Sequence, residues 1–428
     1  MTRTPLLPVS WNSLGLSAWY ALVFLQPFNQ FGGLRSLCMA LLLVALGVTL
    51  CRNGQLGNRT LAPRIALALA LWAIAVSLLG PYPLDSVHAL SKDLLAQALM
   101  LIAALTYVRS ASDAWRVVAA ALAGFCALTL FSLVEVGSYW SQHGFSLWVP
   151  RGHRSFWGGY ATTGAFYIPL LCGWLLAAPK NRRWAFAGWA VLLAAVSLVA
   201  LYGSRTPLVV ITVALLVLLI LLKQWRGLAL VGLLAIVAAG TIQFAQLDHL
   251  DRYRTLFKSD TYTTNQGLSQ RLSVWEGCWD VIAARPLTGY GYGWKKLAWA
   301  INDGNYAEHW QSRPDITAYY LFEGKQASYG RANPHSYPLQ VMFETGIVGL
   351  FLALAFWLAT IRESAVLLRR SAPEVKGLAA CLIAGLVSYA AANLTNGLWV
   401  GGMANTALVL AGCLLALAAT NRRPTPAR

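Results

Sequence analysis

Apolar residues occur along this chain in solid blocks, and polar clusters divide one block from the next. Twelve blocks stand out, at about 12–27, 34–51, 62–80, 89–107, 115–136, 158–178, 184–202, 207–222, 227–246, 336–359, 378–396 and 401–420. Runs of about 17–25 apolar residues each cross a bilayer as a helix. A membrane β-barrel would alternate apolar and polar positions, whereas Val209-Val210-Ile211 through Leu221-Leu222 does not. The pattern predicts an all-α integral membrane protein of about twelve transmembrane helices. Composition agrees: only 11% of the 428 residues are charged, and mean hydropathy is +0.55, against roughly 25% charged in soluble domains.

One polar interruption, Leu247 to Pro334, is far longer than a connector between spans. It divides the chain into spans one to nine (1–246), a cap segment (247–334), and spans ten to twelve with a short tail (335–428). Within it, Leu268 to Ala284 puts Leu268, Leu272, Trp275, Trp279 and Ile282 on one side of an amphipathic helix that Arg285-Pro286 ends. Trp294 to Ile301 reads as a second, weaker helix. Gly289-Tyr290-Gly291-Tyr292-Gly293 has neither the strand–helix context of a nucleotide loop nor the re-entrant setting of an ion filter, and reads as a permissive turn. Gly158-Gly159, Gly346 with Gly349, and Gly401-Gly402 read as small-residue helix contacts.

Lys and Arg set the orientation. With the N-terminus cytoplasmic, 18 of the 33 basic residues fall in inside segments and five (Arg35, Lys92, Arg151, Arg154 and Arg205) in short outside ones. Both termini are then inside and the long segment outside. The net charge of +17 reflects this bias and attraction to anionic lipid, with no compact basic domain for nucleic acid. The first span reads as retained rather than as a cleaved leader. Six of the seven Cys lie in or beside spans, leaving Cys278 alone in the cap. No Cys/His or Asp-x-Asp spacing suggests a metal.

Candidate chemistry gathers on the outside. His335, in Asn333-Pro334-His335-Ser336-Tyr337-Pro338, opens the tenth span, where neighbouring positive charge would keep it a neutral base. Arg205 sits in the tight turn Gly203-Ser204-Arg205-Thr206-Pro207, on the face that the orientation rule disfavours for a cation. With Arg35, Lys92, Arg151, Arg154 and Arg271 it forms a set suited to phosphate or pyrophosphate, which guanidinium groups bind bidentately. Glu344, inside the tenth span, is either ion-paired with an outside arginine or catalytic.

Three stretches in order then resemble the O-antigen ligase and polymerase superfamily. They are Gly203-Ser204-Arg205 opening an apolar span; Arg271 to Trp275 followed by Arg285-Pro286-Leu287-Thr288-Gly289-Tyr290-Gly291; and Pro334-His335-Ser336-Tyr337-Pro338-Leu339-Gln340 running into Phe343-Glu344-Thr345-Gly346-Ile347-Val348-Gly349. One departure is Gly158-Gly159-Tyr160, where an Asn-containing stretch is expected. The resemblance covers about Arg151 to Phe351. It implies a GT-C-like membrane glycosyltransferase of the Gram-negative inner membrane, inverting and independent of metal or other cofactor. The implied donor is a glycan on undecaprenyl pyrophosphate; the acceptor is lipid A–core for a ligase, or the next repeat unit for a polymerase. His335, Arg205 and Arg271 would be catalytic; Arg35, Lys92, Arg151, Arg154, Tyr337 and Glu344 would join the two arginines in holding the donor. The alternative of another class is a twelve-span secondary transporter, which would show repeat symmetry and broken helices at the midplane.

Overall fold

The computed structural model describes residues 11–53, 60–147, 149–150, 156–178, 181–244, 251–255, 258, 260, 264, 270–329, 332–397 and 401–422. The chain is an all-α integral membrane protein, and 81% of its described residues are helical. Among the described residues nine α-helices precede the cap: α1 (Trp11–Leu25), α2 (Gly32–Asn53), α3 (Leu61–Leu79), α4 (Pro83–Tyr107), α5 (Ala111–His143), α6 (Tyr160–Ala177), α7 (Arg182–Leu201), α8 (Arg205–Leu221) and α9 (Trp225–Phe244). The cap holds α10 (Arg271–Ala283), α11 (Leu297–Asp303), α12 (Pro314–Tyr320) and a two-stranded antiparallel hairpin, β1 (Leu321–Phe322) and β2 (Gln326–Ala327). Last come α13 (Tyr337–Arg370), α14 (Pro373–Asn393) and α15 (Gly402–Asn421). Among the described residues ten helices are long and apolar enough to cross a membrane. The 15-residue α1 and the 17-residue α8 occupy the other two apolar blocks, so each of the twelve blocks is a helix.

Several helices outrun their apolar blocks. α4 begins at Pro83 and makes one wide π-helical turn at Leu90–Leu94. α5 runs 33 residues, and α13 runs 34, about 51 Å at 1.5 Å per residue. Polar flanks continue these helices beyond the hydrocarbon, which hydropathy alone does not register. Small residues let the inner helices close. Gly173 of α6 abuts Cys381 of α14, Gly385 of α14 abuts Leu410, and Gly412 of α15 abuts Ala104. Gly402 packs on the Gln26 carbonyl as expected, but Gly158 and Gly159 lie in the turn before α6 rather than between helices.

Gly346 is also not a packing glycine. It breaks α13, with φ 67° and ψ −173°, and the helical bond from Ile347 N–H to the Phe343 carbonyl is absent. The turn after α10 takes both halves of that bond. Ile347 N–H donates to the Pro286 carbonyl at 2.8 Å, and the Phe343 carbonyl accepts from Tyr290 N–H at 2.8 Å. Gly289, Gly291 and Gly293, all at positive φ, let this turn approach; a Cβ on Gly289 would lie 2.5 Å from the Phe343 carbonyl. Tyr290 stacks on Phe343 with centroids 5.0 Å apart. The turn also reaches α3, where Ser77 Oγ accepts from Tyr292 N–H at 2.9 Å.

The buried face of α10 differs from the expected one. Val274, Gly277, Cys278, Val281 and Ile282 face inward, whereas Trp279 is 53% exposed. Leu268 lies outside the described residues. The cause is Gly277, against which Ile316 and Tyr320 of α12 close; a tryptophan stripe is too bulky for that approach. Ile282 belongs to both faces, and Trp275 packs partly against the same core.

Replacing Gly346 with Ala puts a Cβ into the Leu287 carbonyl at a backbone angle that L-residues avoid. Such strain costs roughly 1–3 kcal/mol. Thermal unfolding in detergent should show Gly346→Ala clearly less stable than wild type. Gly47→Ala, in open helical space, should be neutral or slightly stabilising.

Candidate functional site

Arg205 owes its place to a turn that is tied down on both sides. α7 ends at Leu201, and Gly203, at φ 65°, reverses the chain so that α8 opens on Arg205 itself. The Tyr202 hydroxyl donates to the Gly158 carbonyl, and its ring packs on Trp157 with centroids 5.2 Å apart. Arg205 Nη1 then donates to Thr255 Oγ1 at 2.7 Å. Arg271 opens α10 after Gln270, which sits at φ 63°, and its Nε donates to the Thr395 carbonyl beyond α14 at 3.2 Å.

A polar niche of about 60 Å³ separates these elements. It is bounded by Thr162 of α6, Ser204, Thr206 and Pro207 of the α8 turn, Arg271, and Asn396 after α14. Two waters fill such a volume, so it suits one small polar group rather than a whole glycan. Ser204 makes no side-chain cap to α8, leaving the positive end of that helix at the niche wall.

His335 stands beside this pair. It takes the left-handed region, φ 46°, with its N–H donating to Asn333 Oδ1 at 2.8 Å. The Tyr319 hydroxyl donates to the Asn333 carbonyl at 3.2 Å, and the Tyr319 ring meets the imidazole edge-on at 6.4 Å. Burial, and then the Arg271 charge, hold the imidazole pKa below its ordinary value. Burial, and then Arg205, depress the Arg271 guanidinium. Burial pushes the Tyr319 phenol up to about 12. Arg205, Arg271 and His335 thus form one electrostatic group: two cations beside a base that stays neutral.

Other sequence candidates go elsewhere. Tyr337 is buried, and its hydroxyl accepts from Trp357 Nε1 at 3.1 Å on the membrane side. The Glu344 carboxylate accepts from Gly293 N–H and from Gln340 Nε2, each at 2.9 Å. Its cationic neighbour is Lys296 rather than an arginine. Lys296 Nζ donates to Ser86 Oγ and to the Tyr292 carbonyl, 4.0 Å from Asp85, and burial lowers its pKa. Glu344 therefore joins a buried network that secures the glycine-rich turn. Arg35 Nη2 donates to the Gln30 carbonyl at 2.6 Å, and Lys92 is exposed on the wide turn of α4. No described contact brings either to Arg205, Arg271 or His335. Arg151 and Arg154 lie outside the described residues.

Sequence reading missed Tyr319, Thr255, Asn396 and Glu135. Glu135 accepts from Phe156 N–H at 3.1 Å and Trp157 N–H at 2.8 Å, fixing the turn whose Gly158 carbonyl receives Tyr202. A carboxylate inside an apolar block was the available signal. Tyr319 and Thr255 gave none, being ordinary polar residues of a polar segment. The described residues contain no group of three or more His, Cys, Asp or Glu able to hold a metal ion.

A sequence family described as O-antigen ligase matches residues 190–354. That stretch contains Arg205, Arg271, His335 and Glu344. No curated protein matches the chain.

A depressed histidine pKa gives a signed expectation. Below pH 6.5, the ordinary value, the unfolded chain takes up this proton more readily than the folded one. Stability contributed by neutral His335 is therefore fully present above pH 6.5 and lost below it, as pH falls through the lower folded-state value. An NMR titration of histidine-labelled protein, assigned with His335→Asn, should find this imidazole titrating below 6.5. Arg271→Gln should move it upward; an unchanged value would separate the two groups.

Proposed function

Through residues 190–354 the chain belongs to the O-antigen ligase superfamily, and we propose that it transfers a glycan from undecaprenyl pyrophosphate to lipid A–core. The observation that carries this reading is the electrostatic grouping of His335 with Arg271 and of Arg271 with Arg205, beside a polar niche lined by Arg271 and the start of α8. The distribution of Lys and Arg supports a periplasmic cap with both termini in the cytoplasm of a Gram-negative inner-membrane protein.

The reaction needs a base for an acceptor hydroxyl and a cradle for a doubly charged leaving group. His335 takes the hydroxyl proton as the acceptor oxygen bonds to the anomeric carbon from the face opposite the pyrophosphate. The bond from that carbon to the phosphate oxygen breaks, its electron pair staying with undecaprenyl pyrophosphate, and the anomeric configuration inverts. Arg205 and Arg271 stabilise the growing negative charge, supported by the α8 dipole. Asn333 and Tyr319 orient the segment that carries the imidazole. Two guanidinium groups supply charge that a divalent cation supplies elsewhere, so the transfer proceeds without a metal.

Purified protein with lipid-linked glycan and lipid A–core tests each role. His335→Ala should lower turnover by roughly 10²–10⁴ while donor binding persists. Arg205→Ala or Arg271→Ala should also weaken donor binding, by about ten- to a hundredfold for a lost charge-assisted contact. Arg205→Lys should restore only part, because an ammonium lacks the bidentate fork. EDTA should leave the rate unchanged; loss on chelation, restored by a divalent ion, overturns the metal-free step. Near-normal turnover in His335→Ala would make the imidazole structural.

Ligase and polymerase differ in a deletion strain. On a lipopolysaccharide gel, loss of this chain should leave bare core while long lipid-linked glycan accumulates. Core bearing a single repeat would instead identify a polymerase.

A further inference from the structure

A second cavity, of about 320 Å³, lies between α3, α4, α13, α14 and α15; α14 contributes Tyr389 to it and Ala392 to the polar niche. Apolar side chains make nearly all of its wall. Its polar members toward the cap are already engaged: the Tyr337 hydroxyl takes the Trp357 N–H, and the Gln97 side chain takes the Tyr292 hydroxyl at 3.4 Å. Water entering such a space would find few partners, so the cavity suits hydrocarbon.

The cavity is closed at one end and open at the other. Tyr337, Gln97, Ala73 and Tyr389, toward the cap, are all buried. Arg64 and Leu67, in the first two turns of α3, are exposed, and Leu67 is 60% so. Ser77, near the far end of α3, holds the cap turn. Arg64 is thirteen residues earlier, about 20 Å down the helix, so the mouth opens on the membrane face opposite the cap. A lipid whose headgroup sits at the Arg205–Arg271 niche would enter from the wrong side. What fits is a chain from the opposite leaflet, attached to a headgroup that a guanidinium at the mouth attracts.

We infer that this cavity is an intramembrane site for one acyl chain of an anionic glycerophospholipid from the leaflet opposite the cap, with its phosphate held at Arg64. The site is separate from the donor-binding niche and does not depend on the proposed transfer. Its occupant wedges α3 against α13 and fills space that close-packed interiors do not otherwise leave.

Trp357, on the wall, supplies a probe. The full chain is reconstituted with phosphatidylglycerol brominated on its acyl chains, and the quenching that disappears in Trp357→Phe is measured. That component should saturate at low mole fraction. It should be roughly fivefold weaker with equally brominated phosphatidylcholine, the discrimination expected of one cation near an anionic headgroup. Arg64→Gln should bring phosphatidylglycerol down to the phosphatidylcholine level. Ala70→Phe, or the milder Ala66→Leu, should abolish saturation by filling the cavity. Equal quenching by both lipids, or saturation that survives filling in folded, monodisperse protein, overturns the site. Stronger quenching by a brominated polyprenyl phosphate overturns it in favour of an isoprenoid chain.

Discussion

The architecture depends on one exchange of backbone hydrogen bonds. Hydrocarbon offers a broken helix no water, and each unsatisfied amide or carbonyl there costs several kcal/mol. At Gly346 the cap supplies what the helix gives up, as Pro286 accepts from Ile347 and Tyr290 donates to Phe343. The turn can come that close only because three of its residues are glycines at positive φ. Once seated, it brings Gly293 to Glu344 and Tyr292 to Ser77. The cap is therefore joined to α3 and α13 by main-chain geometry rather than by a surface of loose side chains.

The candidate site rests on the cap in turn. Arg271 begins the helix that precedes this turn, His335 immediately precedes α13, and Arg205 belongs to the membrane bundle. Two guanidinium groups near one another, with an imidazole beside them, repel. The fold accepts that arrangement because separate elements impose it: a turn held by Tyr202, a helix start held at Thr395, and a backbone bend held by Asn333. Stored repulsion of this kind would be relieved by an anion, which is what the proposed donor would bring to these charges.

Legibility followed the strength of the physical demand. A bilayer requires uninterrupted apolar runs, so the twelve helices were readable. Their ends were not, because α4 and α13 extend into polar flanks where hydropathy has no force. Arg205, Arg271 and His335 could be named from residue type and position. Their mutual proximity could not, since it depends on the tertiary placement of the start of α10 beside the residues that follow α14. Gly346 was misread as a packing residue because a glycine that permits contact and one that reverses the backbone look alike in sequence. The α10 face failed similarly: counting apolar bulk favoured the tryptophans, whereas close approach favoured Gly277. Glu135 was overlooked although its setting resembles that of Glu344.

The exchange at Gly346 also bears on how the chain is made. The glycine-rich turn leaves the ribosome before α13 exists, and at roughly 5–20 residues per second its two partners follow several seconds later. During that interval the turn carries an amide and a carbonyl committed to a helix not yet inserted. Docking of the cap therefore waits for α13, because the two bonds that close the break at Gly346 have their partners in the turn. Assembly of the cap-bearing side of this protein closes from its C-terminal side, after the helices that precede the cap have been made.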